Sequence, residues 1–349
     1  MKIVITTVQV PFVTGGAESH ALNLRNALTE RGHEAEIVTM PCIFTPIEEI
    51  EDNIVVSRLL NITNTWGHPV DLCIGLKFPA YYMKHPNKVL WILHQHRSAY
   101  ELFDTPYSDI GDNPAGRSVR SIIYRADNVY LSEAKKIYAN SRNVSSRLMK
   151  YNGIDSTPLY HPCPDMESFQ IGEYGDYILM PSRINVTKRQ FLAIEAMAMT
   201  KSDIKLCIVG RAESDTLYHK MMDMIKRLNL SKRVIYKNFV SQEEKLSLYA
   251  NARAVLFIPF DEDYGYISLE AMSAGKALIT ASDSGGPLEF VVPGKTGLIA
   301  APTPSGVAKA MDVLGESESE ARRMGTAARQ YLDSLEITWD NVVEKLVNV

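Results

Sequence analysis

A chain of 349 residues, 46% hydrophobic and 22% charged, has the make-up of a folded globular protein and is too long for one ordinary core, so two domains of roughly 160 residues each are expected. The formal net charge of −4 argues against a general nucleic-acid binder, and no apolar run approaches the roughly 18 residues that a membrane-spanning helix needs. The cysteines Cys42, Cys73, Cys163 and Cys207 are widely separated, offer no CxxC pair for zinc or redox work, and suit reduced, buried thiols in a cytoplasmic protein.

Lys2 to Thr7 reads as a buried first strand and not as part of a signal peptide. Val8 to Thr14, with Pro11, reads as a loop. Gly15-Gly16 then opens a helix with Ala17, Ala21, Leu24 and Leu28 at helical spacing, ending at Gly32. Strand, glycine loop and helix make the first unit of a doubly wound α/β domain, whose ligand crevice lies at the strand's carboxyl end. Two glycines there let a phosphate approach backbone N–H groups, or simply make a tight turn. No GxGxxG occurs, which disfavours a nicotinamide-dependent oxidoreductase. Further strands are predicted over His33–Thr39, Val70–Gly75 and Lys88–Leu93, the last running into His94-Gln95-His96-Arg97. A histidine just past a buried strand either serves substrate, as proton acceptor or hydrogen-bond donor, or is structural. Strand and helix are also expected around Asn140-Ser141-Arg142. Pro162 and Pro164 within Leu159–Asp165 mark an extended interdomain linker.

The second half repeats this logic. Tyr177–Pro181 is a strand, then a loop carries Arg183 and Lys188, then a helix places Leu192, Ala196 and Met199 on one face. Two cations beside a strand-to-helix loop can neutralise a diphosphate, and otherwise are surface charges. Ile204–Gly210 and Arg233–Phe239 are strands, the second leading to Val240-Ser241. Lys245–Ala250 is helical, and Ala252–Phe260 is an apolar run of strand length. After Gly265, Ile267, Ala271 and Ala274 recur at helical spacing, and Gly275 sits where a C-cap glycine would. Glu262 and Glu270 therefore bracket a helix N-terminus, whose free N–H groups can receive an anion. On spacing alone the pair reads instead as a helix-start acid and a solvated one. A strand over Lys276–Ala281, a glycine loop at Gly285-Gly286, a turn at Gly294–Leu298 and helices over Pro304–Leu314, Ala321–Leu335 and Trp339–Leu346 complete the chain.

Charge is unevenly spread. Residues 1–76 hold four Lys/Arg against nine Asp/Glu, whereas residues 77–150 hold twelve against six, interleaved with Phe78, Tyr81, Tyr82, Trp91, Tyr100 and Phe103. The basic block is either a solvated face or a contact surface.

The segment from Asp261 to Gly275 resembles the Glu-x7-Glu motif of the retaining, nucleotide-sugar-dependent glycosyltransferases of family 4. Arg183, Lys188, Gly265 and the Gly285-Gly286 loop follow that family's order, and Gly15-Gly16-Ala17-Glu18, Arg31-Gly32-His33-Glu34 and the Asn140-Ser141 turn resemble it more loosely. The resemblance implies an α/β protein of GT-B architecture, with two Rossmann-like doubly wound domains facing across a cleft. Residues 1–163 would form an acceptor-binding domain, 164–335 a nucleotide-sugar-binding domain, and 336–349 a helix crossing back to the first. It further implies that Glu262 lies by the donor sugar and Glu270 binds the ribose. Arg183 and Lys188 would grip the donor phosphates, Gly16 would face the diphosphate, and the backbone around Gly265, Tyr266 and Ile267 would bind the donor. Val240 would lie at the nucleobase and His94 would contact the donor sugar, with His96 its rival. Where an Asp often follows that histidine, this chain has Gln95, which leaves the acceptor side open.

These assignments make stabilisation of the leaving diphosphate the main source of rate. The cations are expected to replace a divalent metal, and no cofactor beyond a UDP- or GDP-linked donor is implied. Many family members extend glycans on lipids. A saccharide or lipid-linked acceptor in bacterial-type polysaccharide synthesis is therefore expected, with the basic block allowing peripheral contact at the inner face of the membrane. A GT-B sugar-nucleotide epimerase and a catalytically inactive sugar-nucleotide-binding module are the alternatives.

Overall fold

The computed structural model describes residues 1–12 and 15–349, so Val13 and Thr14 of the expected first loop lie outside the described residues. The chain separates into two units, residues 1–164 with 338–349, and residues 165–337. In the first unit β1 (Lys2–Gln9) is followed by α1 (Gly16–Glu30), β2 (Glu34–Pro41), α2 (Glu49–Leu59) and a small antiparallel pair, β3 (Asn64–Thr65) and β4 (His68–Pro69). Then come β5 (Leu72–Lys77), β6 (Lys88–His94), α3 (Pro114–Tyr130), β7 (Lys136–Ala139), α4 (Arg142–Asn152) and β8 (Thr157–Pro158). The main sheet runs β2-β1-β5-β6-β7-β8, all parallel. Parallel strands are covered on both faces, which is why Ile3, Val4, Ile5 and Val89–Ile92 are continuous apolar runs and fully or nearly fully buried. The Asn140-Ser141-Arg142 turn is a helix start: the Ser141 hydroxyl accepts from the Val144 N–H at 3.0 Å, and α4 ends on Gly153 at φ 64°.

The second unit contains β9 (Tyr177–Pro181), α5 (Gln190–Met197), β10 (Lys205–Val209), α6 (Asp215–Arg227), β11 (Val234–Lys237), α7 (Gln242–Ala250) and β12 (Ala254–Leu256). These are followed by α8 (Tyr266–Ser273), β13 (Leu278–Ala281), β14 (Gly297–Ala300), α9 (Pro304–Glu316) and α10 (Glu318–Ser334). Its parallel sheet runs β11-β10-β9-β12-β13-β14, and a core of Ile178, Met180, Ile194, Leu206, Ile208, Leu256, Ile279 and Met311 fills one side. The last helix, α11 (Trp339–Val347), belongs to the first unit. Val342, Val343 and Leu346 enter the same cluster as Leu24, Leu28 and Trp91, and Arg31 pairs with Asp340 at 2.5 Å.

Two expectations need correction. The apolar run Ala252–Phe260 is a strand only over Ala254–Leu256. The Phe257 N–H still reaches the Ile279 carbonyl, but Pro259 has no N–H to donate and the Phe260 N–H turns to the Thr187 carbonyl at 2.7 Å. The helix after Lys188 closes at Met197; Ala196 is buried as expected, but Met199 lies beyond the helix and is exposed, and Ala193, Ile194 and Met197 take the other buried apolar positions.

Candidate functional site

In the second unit the strand order reverses between β9 and β12. Ligands of open α/β sheets bind in the crevice outside the carboxyl ends of strands at such a reversal, and Lys188 and Glu262 meet there, with Gly265 and Glu270 following in the same segment. After β9 the Asn185 side chain accepts from the Thr187 and Lys188 N–H groups at 2.9 and 3.1 Å, an Asx turn that sets the loop's direction. It delivers the Lys188 ammonium to the Glu262 carboxylate, 2.5 Å away, with both side chains 18% exposed. Glu262 is fixed from its own backbone: its N–H donates to the Ser284 carbonyl and its carbonyl accepts from the Gly286 N–H, each at 2.8 Å. Arg183 stands apart, 55% exposed and 3.7 Å from Glu213.

Gly265 precedes α8 at φ 86°, and a Cβ there would lie 2.7 Å from the Phe257 ring and 3.2 Å from Pro287. Only glycine meets both the dihedral and the space. Tyr266 and Ile267 are thereby the first two residues of α8, and first-turn N–H groups point out of a helix N-terminus. Glu270, deeper in α8, is buried. Lys245 donates to its Oε1 at 2.6 Å and the Tyr249 hydroxyl donates to its Oε2. Both donors sit on α7, whose N-cap Ser241 follows Val240, so the residue expected at a nucleobase and the residue expected at a ribose are joined through one helix. Neither Lys245 nor Tyr249 was singled out from sequence, where a lysine and a tyrosine on a short helix carry no distinguishing signal.

In the first unit Gly16 opens α1, but the Glu18 carboxylate already accepts from the Gly15 N–H at 2.7 Å. His94 ends β6, half-buried, and its Nδ1 lies 2.7 Å from the Gln95 carbonyl. In the neutral ring that contact puts the proton on Nδ1 and leaves Nε2 as the acceptor. His96 differs. It is buried with its ring edge-on to Phe44 and Phe78, at centroid distances of 5.7 and 5.2 Å, and burial lowers its pKa, partly offset by the charge of Asp109. Gln95 is tied inward, donating to Asp127 Oδ2 at 2.6 Å and Asn152 at 3.0 Å. Asp127 is fully buried and also accepts from the hydroxyls of Tyr81 at 3.1 Å, Tyr82 at 2.5 Å and Tyr100 at 2.6 Å. Burial pushes its carboxyl pKa up against the pull of those four donors.

Two doubly wound α/β units, the second carrying cations, paired glutamates and glycine loops at its strands' carboxyl ends, define the GT-B fold. Residues 165–331, nearly all of the second unit, match the family described as Glycosyl transferases group 1. The chain is 34% identical over 124 residues to the alpha-1,3/1,6-mannosyltransferase ALG2 of Dictyostelium discoideum, covering 36% of this chain and 29% of that one. It is 24% identical over 392 residues to an uncharacterized glycosyltransferase of Methanocaldococcus jannaschii, covering 100% and 97% of the two. Among solved structures, Anabaena HepE in complex with UDP and glucose aligns over 100% of both chains at a TM-score of 0.74 and 15% identity, a likeness of fold.

Proposed function

We propose that this chain is a retaining glycosyltransferase of family 4 that moves a sugar from a UDP- or GDP-linked donor to a hydroxyl of a saccharide or lipid-linked acceptor. The observation that carries the reading is the Lys188–Glu262 ion pair at the strand-order reversal, with Glu270 in the adjoining helix. Lys188, Arg183 and the backbone at Gly265, Tyr266 and Ile267 would stabilise the departing diphosphate in place of a divalent metal. Glu270 would receive the ribose hydroxyls and Val240 would border the base. In the first unit, Gly16 is assigned to the diphosphate and His94 to the donor sugar, with the acceptor held mainly by that unit.

A double displacement needs an unencumbered carboxylate beneath the anomeric carbon, whereas Glu262 is already engaged by an ammonium. A front-face substitution suits these residues better. The anomeric carbon–phosphate oxygen bond breaks, the acceptor oxygen bonds to the same face, and the leaving phosphate takes the acceptor's proton. Thermal-shift titration with UDP-, GDP- and ADP-sugars tests the donor, because stabilisation grows with occupancy. One nucleotide class should raise the midpoint, and turnover should need an acceptor. No shift with any of them would overturn the reading, and acceptor-independent conversion would favour an epimerase.

The exposed cations of residues 77–150 support a peripheral membrane contact, each worth about 1 kcal/mol near anionic headgroups, whereas Lys88, Arg147 and the interleaved aromatics Phe78, Tyr81, Tyr82, Trp91, Tyr100 and Phe103 are buried and take no part in it. Co-sedimentation with anionic but not neutral vesicles, lost at high salt, is expected. Absence of binding at low salt would remove the membrane and leave the transferase.

A further inference from the structure

We propose that Arg189 and Asp283 are positioning residues for this donor site, forming a brace that locks the loop carrying Lys188 against the loop carrying Glu262. The inference rests on the donor reading above. Arg189 follows Lys188 and Asp261 precedes Glu262, and both are non-glycine residues in left-handed backbone, at φ 59° and 42°. Side chains beyond glycine are strained in that conformation, and such strain persists where the surroundings over-determine it, most often at functional sites.

The surroundings here are specific. Arg189 makes a two-pronged ion pair with Asp283, Nη1 to Oδ1 at 2.8 Å and Nη2 to Oδ2 at 2.7 Å, and its guanidinium lies 5.0 Å from the centre of the Phe260 ring. Three loops meet around it. The Phe260 N–H donates to the Thr187 carbonyl at 2.7 Å, the Asp261 N–H to the Asp283 carbonyl at 2.9 Å, and the Glu262 N–H to the Ser284 carbonyl at 2.8 Å. Glycine would fill position 189 without strain, so the turn does not require an arginine. What the arginine adds is the planar fork that matches a carboxylate, which a lysine does not reproduce. The result fixes Lys188 and Glu262 from both sides of their contact, and placement errors near 1 Å at reacting groups are costly.

The test compares wild type with Arg189→Gly, Asp283→Asn and the double variant. Hydrogen exchange at the amides of Phe260, Asp261, Glu262 and Gly286 reads the brace directly. UDP and GDP calorimetry and hydrolysis of UDP-glucose and GDP-mannose read its use. Faster exchange in all three variants is expected, with kcat lowered on the order of ten- to a hundredfold and KM changed far less. The double variant should be no worse than either single one, because both break the same pair. Unchanged exchange in Arg189→Gly, or losses that add in the double variant, would overturn the brace. If wild type binds neither UDP nor GDP, the donor reading fails, and faster exchange in the variants still establishes the brace.

Discussion

The two units build six-stranded parallel sheets with different strand orders. Counting main-sheet strands in chain order, the second unit runs 3-2-1-4-5-6, whereas the first runs 2-1-3-4-5-6, with α2 and the β3–β4 hairpin lying in the chain between its second and third strands. The reversal in the second unit brings the loops after β9 and β12 side by side, and those loops carry Lys188 and Glu262. In the first unit the reversal lies between β1 and β5, and His94 ends β6, one strand farther along. The polar groups differ accordingly. Around β6 the first unit turns its side chains inward on Asp127, a closed and buried network, while the second holds partly exposed ions at its crevice. One arrangement specifies a core, and the other is available to a ligand.

The contrast is broken most sharply by Asp127→Ala, which would leave three tyrosine hydroxyls and the Gln95 amide without their buried acceptor. Urea unfolding should show a loss on the order of 4 kcal/mol, with Asp127→Asn intermediate and nucleotide affinity of the folded fraction unchanged. A small stability loss with lost nucleotide binding would invert the comparison.

Lys276 offers a pH-dependent probe within the second unit. It is fully buried, donates to the Glu173 carbonyl at 2.8 Å and lies 3.7 Å from the centre of the Tyr174 ring. Burial, reinforced by Arg322, lowers its pKa from 10.5 to about 8. The folded state thus binds fewer protons than the unfolded state between about pH 8 and 10.5, so this lysine's contribution to stability rises with pH across that window and its cost is fully present below it. The upper bound is about 3 kcal/mol. Subtracting the stability–pH curve of Lys276→Met should isolate that rise, and parallel curves would refute it.

At the crevice the effects should fall on ligand and not on fold. Lys188→Ala and Arg183→Ala should each weaken donor binding or the transition state by about 1.5–3 kcal/mol. Glu270→Ala should weaken binding of the bare nucleotide, whereas Glu262→Ala should spare it and depress turnover. Calorimetry with UDP and GDP alongside turnover separates these, and the opposite pattern would exchange the two glutamates' roles. The smallest expected effect sharpens the first unit. His94→Ala should lower turnover on the order of tenfold, about 1.4 kcal/mol, while His96→Ala, which empties a place between Phe44 and Phe78, should register in stability. Equal, small effects on turnover would make both histidines structural.

The sequence was most readable where backbone chemistry restricts the residue. Gly265 and Gly285, at φ 86° and 71°, punctuate the crevice loops, and the short strands before them lie within apolar runs. Lys188 and Glu262 were visible as charges at strand ends, though nothing in their spacing shows that they touch, since they lie 74 positions apart. Arg189 was invisible for the opposite reason. An arginine after a lysine reads as a second surface charge, and neither its left-handed backbone nor its pair with Asp283, 94 positions away, shows in the local sequence. The inward turn of Gln95 likewise depends on Asp127, which sits within a basic, aromatic stretch that reads as a surface. Helices α2 and α3 escaped notice although Asn113-Pro114 is a regular helix start, with the Asn113 side chain accepting from the Gly116 N–H at 2.9 Å.

The placement of α11 bears on the order in which the molecule can be assembled. Residues 1–164 leave the ribosome first, yet the face of α1 that packs with Val342, Val343 and Leu346 waits for residues 338–349. The second unit, continuous in sequence, can reach its native contacts before the first is closed, so synthesis and completion run in opposite directions. Nascent chains stalled after residue 337 should therefore resist protease over 165–337 while 1–164 is still cut, and equal resistance in both would show that the early unit holds together without its last helix.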